Sequence, residues 1–474
     1  QAIVQQHETP QIDITGGTTV ADRAINSAVT RRGFLVGLGV GAAGLALAAC
    51  AQPAAPAPTA APQASGKFDW MQAKGKEVRF IGLKSTIEDY WEKSVPEFQQ
   101  LTGINVKFEA YEQAQARQKI ATELTAGTGT LDSFRTTRAQ DFAQYAKNGW
   151  FEDLTPYSTN PQKAAPDLDM ADFFEGALNS CKIDGKVIAL PVISGGQCLF
   201  VRKDLLEAKG LKAPTNFDEL EQVAKALHKP PDVYGFVSRG QKSNAVSMFA
   251  VFLHNMGVDW MGKDGKSPSL NLPEAVEAYK FYGGLLKAYA PQGIVNMGNV
   301  ELTPFYQQGK AALFPDDLSF RTQFEDPASS KVVGKTAYVN FPAGPKRNTP
   351  TIYIYGLAIS SQSKNKDAAW LWTEYLAGKQ YQIKAMVAGV AAGRKSAWDD
   401  PTALTAAPKD WVETAKWTFD KGDDQWAPPV ISVPEARDIV GLPITVAIEG
   451  GDVKAACEKA NSDLTALAKR DGLL

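Results

Sequence analysis

The chain has 474 residues, more than one hydrophobic core usually holds, so two domains are the first expectation. A net charge of −2 excludes a broad basic surface for nucleic acid, and three histidines and four cysteines without metal-ligand spacing argue against a metal centre. No histidine stands beside a serine or cysteine in a nucleophile motif. We therefore expect no cofactor, no metal, no nucleic-acid partner and no catalytic residues.

A charge-free apolar stretch near the start of the chain indicates the cellular location. Arg31 and Arg32 precede residues 33–49, which are rich in Gly and Ala and end in the letters LAAC at Cys50. The stretch lies at the short end for a membrane-spanning helix. Its order resembles a twin-arginine export signal joined to a lipoprotein cleavage box, in which the cysteine becomes the first mature residue and carries the lipid. The resemblance predicts a signal region at 1–49 and lipidation of Cys50; a buried apolar helix that happens to end in cysteine is the alternative.

The segment after the cysteine has a different composition. Residues 51–66 alternate proline and alanine without an apolar period, which is typical of an extended spacer. We predict that residues 50–75 form the lipidated cysteine and a linker. The lipid would then be the protein's one contact with the membrane, and the folded body would lie in the cell envelope, outside the cytoplasmic membrane.

From residue 77 onward, strand and helix patterns alternate. The predicted elements are a strand at 77–83, a helix at 87–102 ended by Gly103, a strand at 104–110, a helix at 114–125, a strand end at 131–134, a strand at 186–192, helices at 218–227 and 274–289, strands at 337–341 and 352–359, and a helix at 367–376. This alternation is typical of parallel sheets wound with helices. In such sheets ligands bind beyond the carboxyl ends of the strands.

Seven short motifs carry a family resemblance. They are LTAGTGTLD at 124–132, DGKVIALPV at 184–192, LFVRKDLL at 199–206, GLKAPTNFDEL at 210–220, FYQQGKAAL at 305–313, GLAISSQSKNKDAA at 356–369 and GVAAGRKS at 389–396. In this order they resemble the ABC-transporter extracellular solute-binding proteins that include maltose-binding protein. Local cues at 237–240, 330–335 and 428–434 resemble the cluster that binds polyols and related monosaccharides. Two departures are Tyr355, where many relatives carry Trp, and Ala392, where many carry Pro.

The resemblance implies an α/β, two-lobed periplasmic-binding-protein-like fold, each lobe a mainly parallel sheet wound with helices. We place lobe 1 at 76–192 and 352–395 and lobe 2 at 194–350 and 396–474, with a hinge near Gly195-Gly196. The implied function is capture of a sugar or sugar alcohol between the lobes. The implied partners are that small molecule and the transmembrane subunits of an ABC permease, with the protein itself a monomer.

Candidate ligand contacts follow the strand ends and the crossings between lobes. Fixed hydroxyls call for planar carboxylate, amide and guanidinium partners, and the carbon face of a sugar calls for an aromatic ring. The candidates are Ser85, Asp132, Arg135, Gln197, Arg239, Asp316, Asp317, Tyr353, Tyr355 and Arg394.

Several of these candidates have a structural alternative. Asp132 could instead cap a turn, and Asp316-Asp317 could lie in a solvated loop or bind a cation. The two tyrosines could belong to the core, and Arg394 could form a surface ion pair.

Two further questions stay open from the sequence. Cys181 and Cys198 flank the strand at 186–192; export would permit a disulfide between them, whereas folding in the cytoplasm before export would not favour one. An envelope carbohydrate-active enzyme would need two opposed carboxylates, for which Asp132 and Asp317 are the available pair. A sugar sensor without a transport role could use the same fold.

The leader hypothesis has a direct test. We expect the mature protein to begin at Cys50 and to fractionate with membranes, because a lipid on that cysteine would hold it there. Cys50→Ala should release the protein or leave the precursor uncleaved, as membrane fractionation and intact-mass spectrometry would show. A purified native protein that still carries residues 1–49 would contradict the hypothesis.

Overall fold

The computed structural model describes residues 67–474 apart from Gly389 and Ala406. The leader, Cys50 and the spacer at 51–66 lie outside the described residues, so the export signal, the lipidation and the linker remain predictions. The described residues belong to one compact unit. Within the described part of the chain, no helix is both long enough and apolar enough to cross a bilayer.

The strands follow the alternation read from the sequence. They are β1 (Glu77–Leu83), β2 (Asn105–Tyr111), β3 (Ser133–Thr136), β4 (Lys182–Ile183), β5 (Lys186–Val187), β6 (Leu190–Arg202), β7 (Tyr234–Phe236), β8 (Ala311–Asp317), β9 (Thr336–Val339) and β10 (Ile352–Ile359).

Helices occupy most of the intervening chain. They are α1 (Thr86–Thr102), α2 (Gln113–Ala126), α3 (Ala143–Lys147), α4 (Thr155–Ser158), α5 (Glu175–Ser180), α6 (Lys203–Lys209), α7 (Phe217–Leu227), α8 (Lys242–Asn255), α9 (Pro273–Tyr289), α10 (Asn299–Gln307), α11 (Arg321–Phe324), α12 (Lys366–Ala377), α13 (Lys379–Val387), α14 (Lys409–Lys421), α15 (Val433–Glu449) and α16 (Val453–Arg470).

Local chemistry explains where these helices begin and end. Ser85 caps α1 by accepting a hydrogen bond from the amide of Ile87, and Gly103 ends the helix with a φ of 67°, in the left-handed region that favours glycine. The Asn216 side chain caps α7 by accepting from the amide of Glu219 at 2.9 Å. The helices predicted at 87–102 and 218–227 are therefore confirmed to within one residue.

The fold has two lobes that share their central strands. The strand order is β2-β1-β3-β10-β6-β8-β7, with β9 also paired to β6. Residues 190–196 of β6 pair with β10 of the first lobe, and residues 197–202 pair with β8 and β9 of the second. The predicted strand at 186–192 is therefore divided between two strands. Its first two residues form the short strand β5, and its last three begin β6, which runs on through both lobes.

The two-lobed α/β fold is confirmed, but the sheets are mixed and not mainly parallel. β1 pairs in parallel with β2 and β3, and β7 with β8. β10 and β6 pair with each other in antiparallel orientation. β10 is also antiparallel to β3, and β6 is antiparallel to β8 and β9. The reason is that these two strands connect the lobes in opposite directions, which the local alternation of strands and helices does not reveal.

The two glycines predicted as a hinge lie inside strand β6. An added Cβ at Gly195 would lie 2.7 Å from Oδ2 of Asp317, and one at Gly196 would lie 2.5 Å from Cγ2 of Thr418 on α14. Close packing at the junction between the lobes therefore requires glycine at these positions. Neither residue has a positive φ, so a tight turn does not explain them.

All three cysteines of the described chain, Cys181, Cys198 and Cys457, are buried free thiols. The disulfide left open between Cys181 and Cys198 is absent from this part of the chain. Burial raises the pKa of Cys181 and Cys198, which keeps both thiols protonated.

Two adjacent glycines of α9 provide a matched test of helix packing. An added Cβ at Gly283 would lie 2.3 Å from the Cβ of Ala447 on α15, whereas Gly284 is exposed with open space around it. We expect Gly283→Ala to lower the free energy of unfolding by about 1–3 kcal/mol, because the two helices must move apart. Gly284→Ala should raise it by about 0.5–1 kcal/mol, since alanine is the better helix former. Urea titrations followed by circular dichroism would measure both, and equal effects would contradict this account of the packing.

Candidate functional site

A cavity of about 710 Å³ opens between the lobes where β6 and β10 cross. This volume lies within the roughly 300–1,000 Å³ typical of small-molecule sites. Its polar lining residues are Gln113, Gln140, Arg239, Asn244, Ser247, Asp317, Ser319, Arg321, Thr322 and Arg437. Its aromatic lining residues are Tyr353, Tyr355, Trp398, Trp411, Phe419 and Trp426. Among the predicted contacts, Arg239, Asp317, Tyr353 and Tyr355 lie on this wall.

An ion pair fixes the polar side of the cavity. The guanidinium of Arg239 donates to both carboxylate oxygens of Asp316, at 3.0 Å and 2.5 Å, and the carboxylate is fully buried. Burial alone would lower the pKa of Arg239, but the charge of Asp316 outweighs it and the pKa is raised. Asp316 therefore holds Arg239 in place from behind the wall. It is not part of a solvated loop, and a guanidinium occupies the position that a cation would need.

Asp317 contributes a carboxylate beside the crossing strand. Its Oδ1 accepts from the amide of Ser319 at 2.8 Å, which caps the short 3-10 turn that follows β8. Its Oδ2 faces Gly195 on β6, as the close approach at that glycine shows. Burial raises the pKa of Asp317. The carboxyl is therefore well fixed and partly desolvated, which suits recognition of a hydroxyl group.

Aromatic rings form much of the rest of the wall, among the polar groups. The ring centroids of Trp398 and Trp411 are 5.0 Å apart, and the indole of Trp411 donates to the carbonyl of Leu318 at 3.1 Å. Tyr353 lies edge-on to Trp426, with ring centroids 6.2 Å apart. The tyrosine at 353 therefore faces the cavity as predicted, with its hydroxyl 3.5 Å from the carbonyl of Ser247.

The sequence did not indicate which tryptophans line the cavity, and Trp411 was not considered. Trp398 and Trp426 lie on the wall, whereas Trp260 is fully buried and donates to the carbonyl of Gln425 at 2.7 Å. Nothing local distinguishes a cavity tryptophan from a core tryptophan, because both sit among apolar neighbours. The apolar spacing of α14 identifies Trp411 as inward-facing, but not which space it faces.

On the first lobe, Glu88 holds two of the predicted residues. Its fully buried carboxylate accepts from Arg135, from the hydroxyl of Ser85 and from the amide of Leu83. The guanidinium of Arg135 in turn lies 4.0 Å from the ring centroid of Tyr355. Ser85 and Arg135 are therefore positioned behind the wall, and one face of the Tyr355 ring is already covered. Glu88 was missed because a glutamate in the first turn of a helix is most often exposed.

Three predicted contacts lie away from the wall in structural roles. Asp132 accepts from the amide of Arg79 at 2.9 Å and from the hydroxyl of Ser363 at 2.5 Å, which fits the capping alternative. Because Asp132 does not line the cavity, it does not form an opposed carboxylate pair with Asp317 across it. Gln197 is fully buried and donates to the carbonyl of Met248 at 3.3 Å.

Arg394 is the third predicted contact that lies away from the cavity wall. It is fully buried within the first lobe. Its guanidinium donates to the carbonyls of Asp169 at 2.9 Å and Leu168 at 3.2 Å, to the carbonyl at the end of α12, and to Asp172 at 3.2 Å. It is thus neither a cavity residue nor a surface ion pair. The sequence could not show this, because three of the four groups that it binds lie more than 200 residues away.

Eight of the ten polar lining residues were not anticipated, and Asn244 and Arg437 are among those whose hydrogen-bonding capacity the described residues leave unmet. The side-chain oxygen of Asn244 receives no hydrogen bond from the described residues. Arg437 lies 5.3 Å from the ring of Trp426, and its Nε is similarly unpaired within the described chain. Burial and the nearby charge of Arg239 lower the pKa of Arg437. Buried groups with unmet hydrogen-bonding capacity favour a polar occupant.

A cleft between two α/β lobes, lined by fixed polar groups and aromatic rings, matches one family of proteins. The model of that family, described as bacterial extracellular solute-binding protein, matches residues 84–383. This chain belongs to that family. The solute-binding proteins most similar in sequence include an erythritol/L-threitol-binding protein of Mycolicibacterium smegmatis, 28% identical over 426 residues that cover 84% of this chain and 89% of that protein.

Other solute-binding proteins agree with this assignment. A mannitol-binding protein of Pseudomonas aeruginosa is 26% identical over 316 residues, covering 64% of this chain and 70% of that protein. An ABC-transporter solute-binding protein of Agrobacterium radiobacter, solved in complex with ribitol, has a TM-score of 0.69 and 29% identity over 83% of this chain and 99% of the other. These three relatives are therefore polyol-binding proteins, and the family to which this chain belongs consists of extracellular solute-binding proteins.

The structural role of Arg394 can be separated from ligand binding. We expect Arg394→Met to lower the free energy of unfolding by about 3–5 kcal/mol, because it leaves Asp172 and three carbonyls without their buried cation. The neighbouring Lys395→Met should change it by no more than about 0.5 kcal/mol. Urea unfolding of both variants gives the stabilities. A stable Arg394→Met protein that has lost affinity for its ligand would show instead that Arg394 contributes to ligand binding.

Proposed function

We propose that this protein is the extracytoplasmic binding lipoprotein of an ABC importer, and that it captures a sugar alcohol or a small sugar between its lobes and delivers it to the permease. The single observation that carries the proposal is the interlobe cavity, in which Arg239 and Asp317 lie among aromatic rings. Fixed hydrogen-bonding groups can select a hydroxyl pattern, while the rings contact the carbon backbone.

The relatives narrow the ligand class. The proteins named above bind erythritol or L-threitol, mannitol and ribitol. Linear polyols present hydroxyls along the whole molecule and no ring face, so they need several polar partners and adaptable aromatic contacts. The cavity offers both, which supports a polyol of a few carbons as the first ligand to test.

Closure of the lobes is the proposed mechanism of capture. Arg239 and Asp317 come from the second lobe. Gln113, Gln140 and Tyr355 come from the first, where the Glu88–Arg135 pair backs Tyr355. A ligand that touches both sets gains contacts only when the lobes approach each other, so it shifts the population toward the closed form. Anchoring through a lipid on Cys50 would keep the loaded protein near the permease.

Variants of the cavity wall test the binding site. We expect Asp317→Asn to weaken polyol binding by roughly 10- to 100-fold, since a hydrogen bond to a charged group contributes about 1.5–3 kcal/mol. The same change at the half-buried Asp326, which also caps a loop and does not line the cavity, should leave affinity unchanged. Tyr355→Ala should weaken all polyols while keeping their order of affinity, and Tyr355→Trp should be tolerated.

Calorimetric titration with matched polyols and hexoses would measure these effects. Wild-type affinity in folded Asp317→Asn and Tyr355→Ala proteins would show that the site lies elsewhere.

Closure has its own measurement. Because the contacts that favour the closed form require a bridging ligand, we expect a saturating polyol to reduce the radius of gyration in small-angle scattering. Asp317→Asn at the same polyol concentration should show a smaller change, since less of it is bound. An unchanged scattering profile for wild-type protein shown by calorimetry to be saturated would contradict closure.

A further inference from the structure

A second cavity, of about 230 Å³, lies on the first lobe. It is formed where α1, α12 and α13 meet the short 3-10 turn at Trp70–Ala73, and it shares no lining residue with the interlobe cavity. Its small volume admits a molecule of only a few heavy atoms. The family resemblance and the proposed transport function do not account for it.

A buried carboxyl with unmet hydrogen-bonding capacity lines this cavity. Glu374 is 1% exposed, and its Oε1 accepts from the amide of Ala165 at 2.6 Å. No hydrogen bond from the described residues reaches the other oxygen, Oε2. An unpaired buried carboxyl oxygen is unfavourable, so a native structure usually supplies a partner.

Aromatic rings surround the same space. Trp70 lies edge-on to Tyr375, with ring centroids 6.5 Å apart, and Tyr375 lies 5.1 Å from Tyr381. Aromatic faces beside a carboxylate provide the environment that organic ammonium ions prefer, because both the ring quadrupole and the carboxylate attract positive charge.

The remaining charges near the cavity are accounted for. Asp167 adds a second negative charge, and Lys384 is paired with Glu97 at 2.8 Å, with both side chains more than half exposed. Lys379 is exposed at the rim. Arg394 lies beneath the floor, and the carbonyls described above already take its hydrogen bonds. Among the residues that the structure describes, Glu374 therefore has no buried cation of its own in contact with it.

We propose that this cavity binds a small organic ammonium ion, with the cationic group on Glu374 and the alkyl part against Trp70, Tyr375 and Tyr381. Burial raises the pKa of Glu374 to about 8, so the carboxyl is neutral at neutral pH when the cavity is empty. A bound cation favours the ionised form, and ligand binding therefore releases a proton below that pH.

Choline and ethanolamine are suitable probes. We expect both to raise the melting temperature of the wild-type protein and to give saturable heats in calorimetry. Glu374→Gln, which keeps the acceptor for Ala165, should weaken binding by roughly tenfold or more. Trp70→Ala, at the half-buried edge, should weaken choline binding by roughly two- to fivefold. Choline carries a fixed charge, so its affinity should increase as pH rises toward about 8.

Asp424→Asn is the matched control. Asp424 is also buried, with a pKa raised to about 8 and one oxygen unpaired within the described chain, but it lines neither cavity. It should keep wild-type affinity for choline. No response of wild-type protein to either amine, or equal affinities in wild type, Glu374→Gln and Trp70→Ala, would overturn the proposal. Polyol affinity should be unchanged in Glu374→Gln. A negative result with the amines would therefore leave the proposal for the interlobe site unaffected, and a negative result with polyols would leave this one unaffected.

Discussion

Backbone pairing along β6 is the constraint on which the rest of the structure depends. A single strand of 13 residues supplies hydrogen-bonding partners to both lobes. A shift of register in one lobe would turn its buried side chains outward and would disturb the pairing in the other. The cleft lies at the middle of this strand, where Gly195 and Gly196 allow Asp317 and α14 to approach the backbone closely. The position of the site is therefore set by the strand that joins the lobes.

Two buried ion pairs support the cleft from opposite sides. Arg239 and Asp316 belong to the second lobe, and Arg135 and Glu88 to the first. Removing ions from water is unfavourable, and such pairs are stable only when geometry and further hydrogen bonds compensate. Here each pair also orients a wall residue: one holds the guanidinium that faces the cavity, and the other covers one face of Tyr355. Each pair therefore keeps its own side of the cleft in a fixed arrangement before a ligand arrives.

The two departures from the family pattern have different consequences. Ala392 is fully buried, and its carbonyl accepts from the indole of Trp398 at 3.0 Å, so it acts through the position of a wall residue. Tyr355 is itself on the wall and presents a smaller ring than tryptophan would. With one face of that ring covered by Arg135, the remaining face and edge are available to a ligand.

The sequence by itself determined the order of strands and helices, because each depends on neighbours within a few residues: an apolar period, a capping side chain such as Asn216, a glycine such as Gly103. The ordered motifs also indicated two lobes, and the positions of Arg239, Asp317, Tyr353 and Tyr355 near the crossings. Only the tertiary structure decided that β6 runs through both lobes, that Arg394 and Asp132 are structural, and that Trp411 faces the cleft. These outcomes depend on burial and on partners distant in the chain, since a buried arginine and a ligand-binding arginine have the same local sequence, and only the groups packed around them distinguish the two.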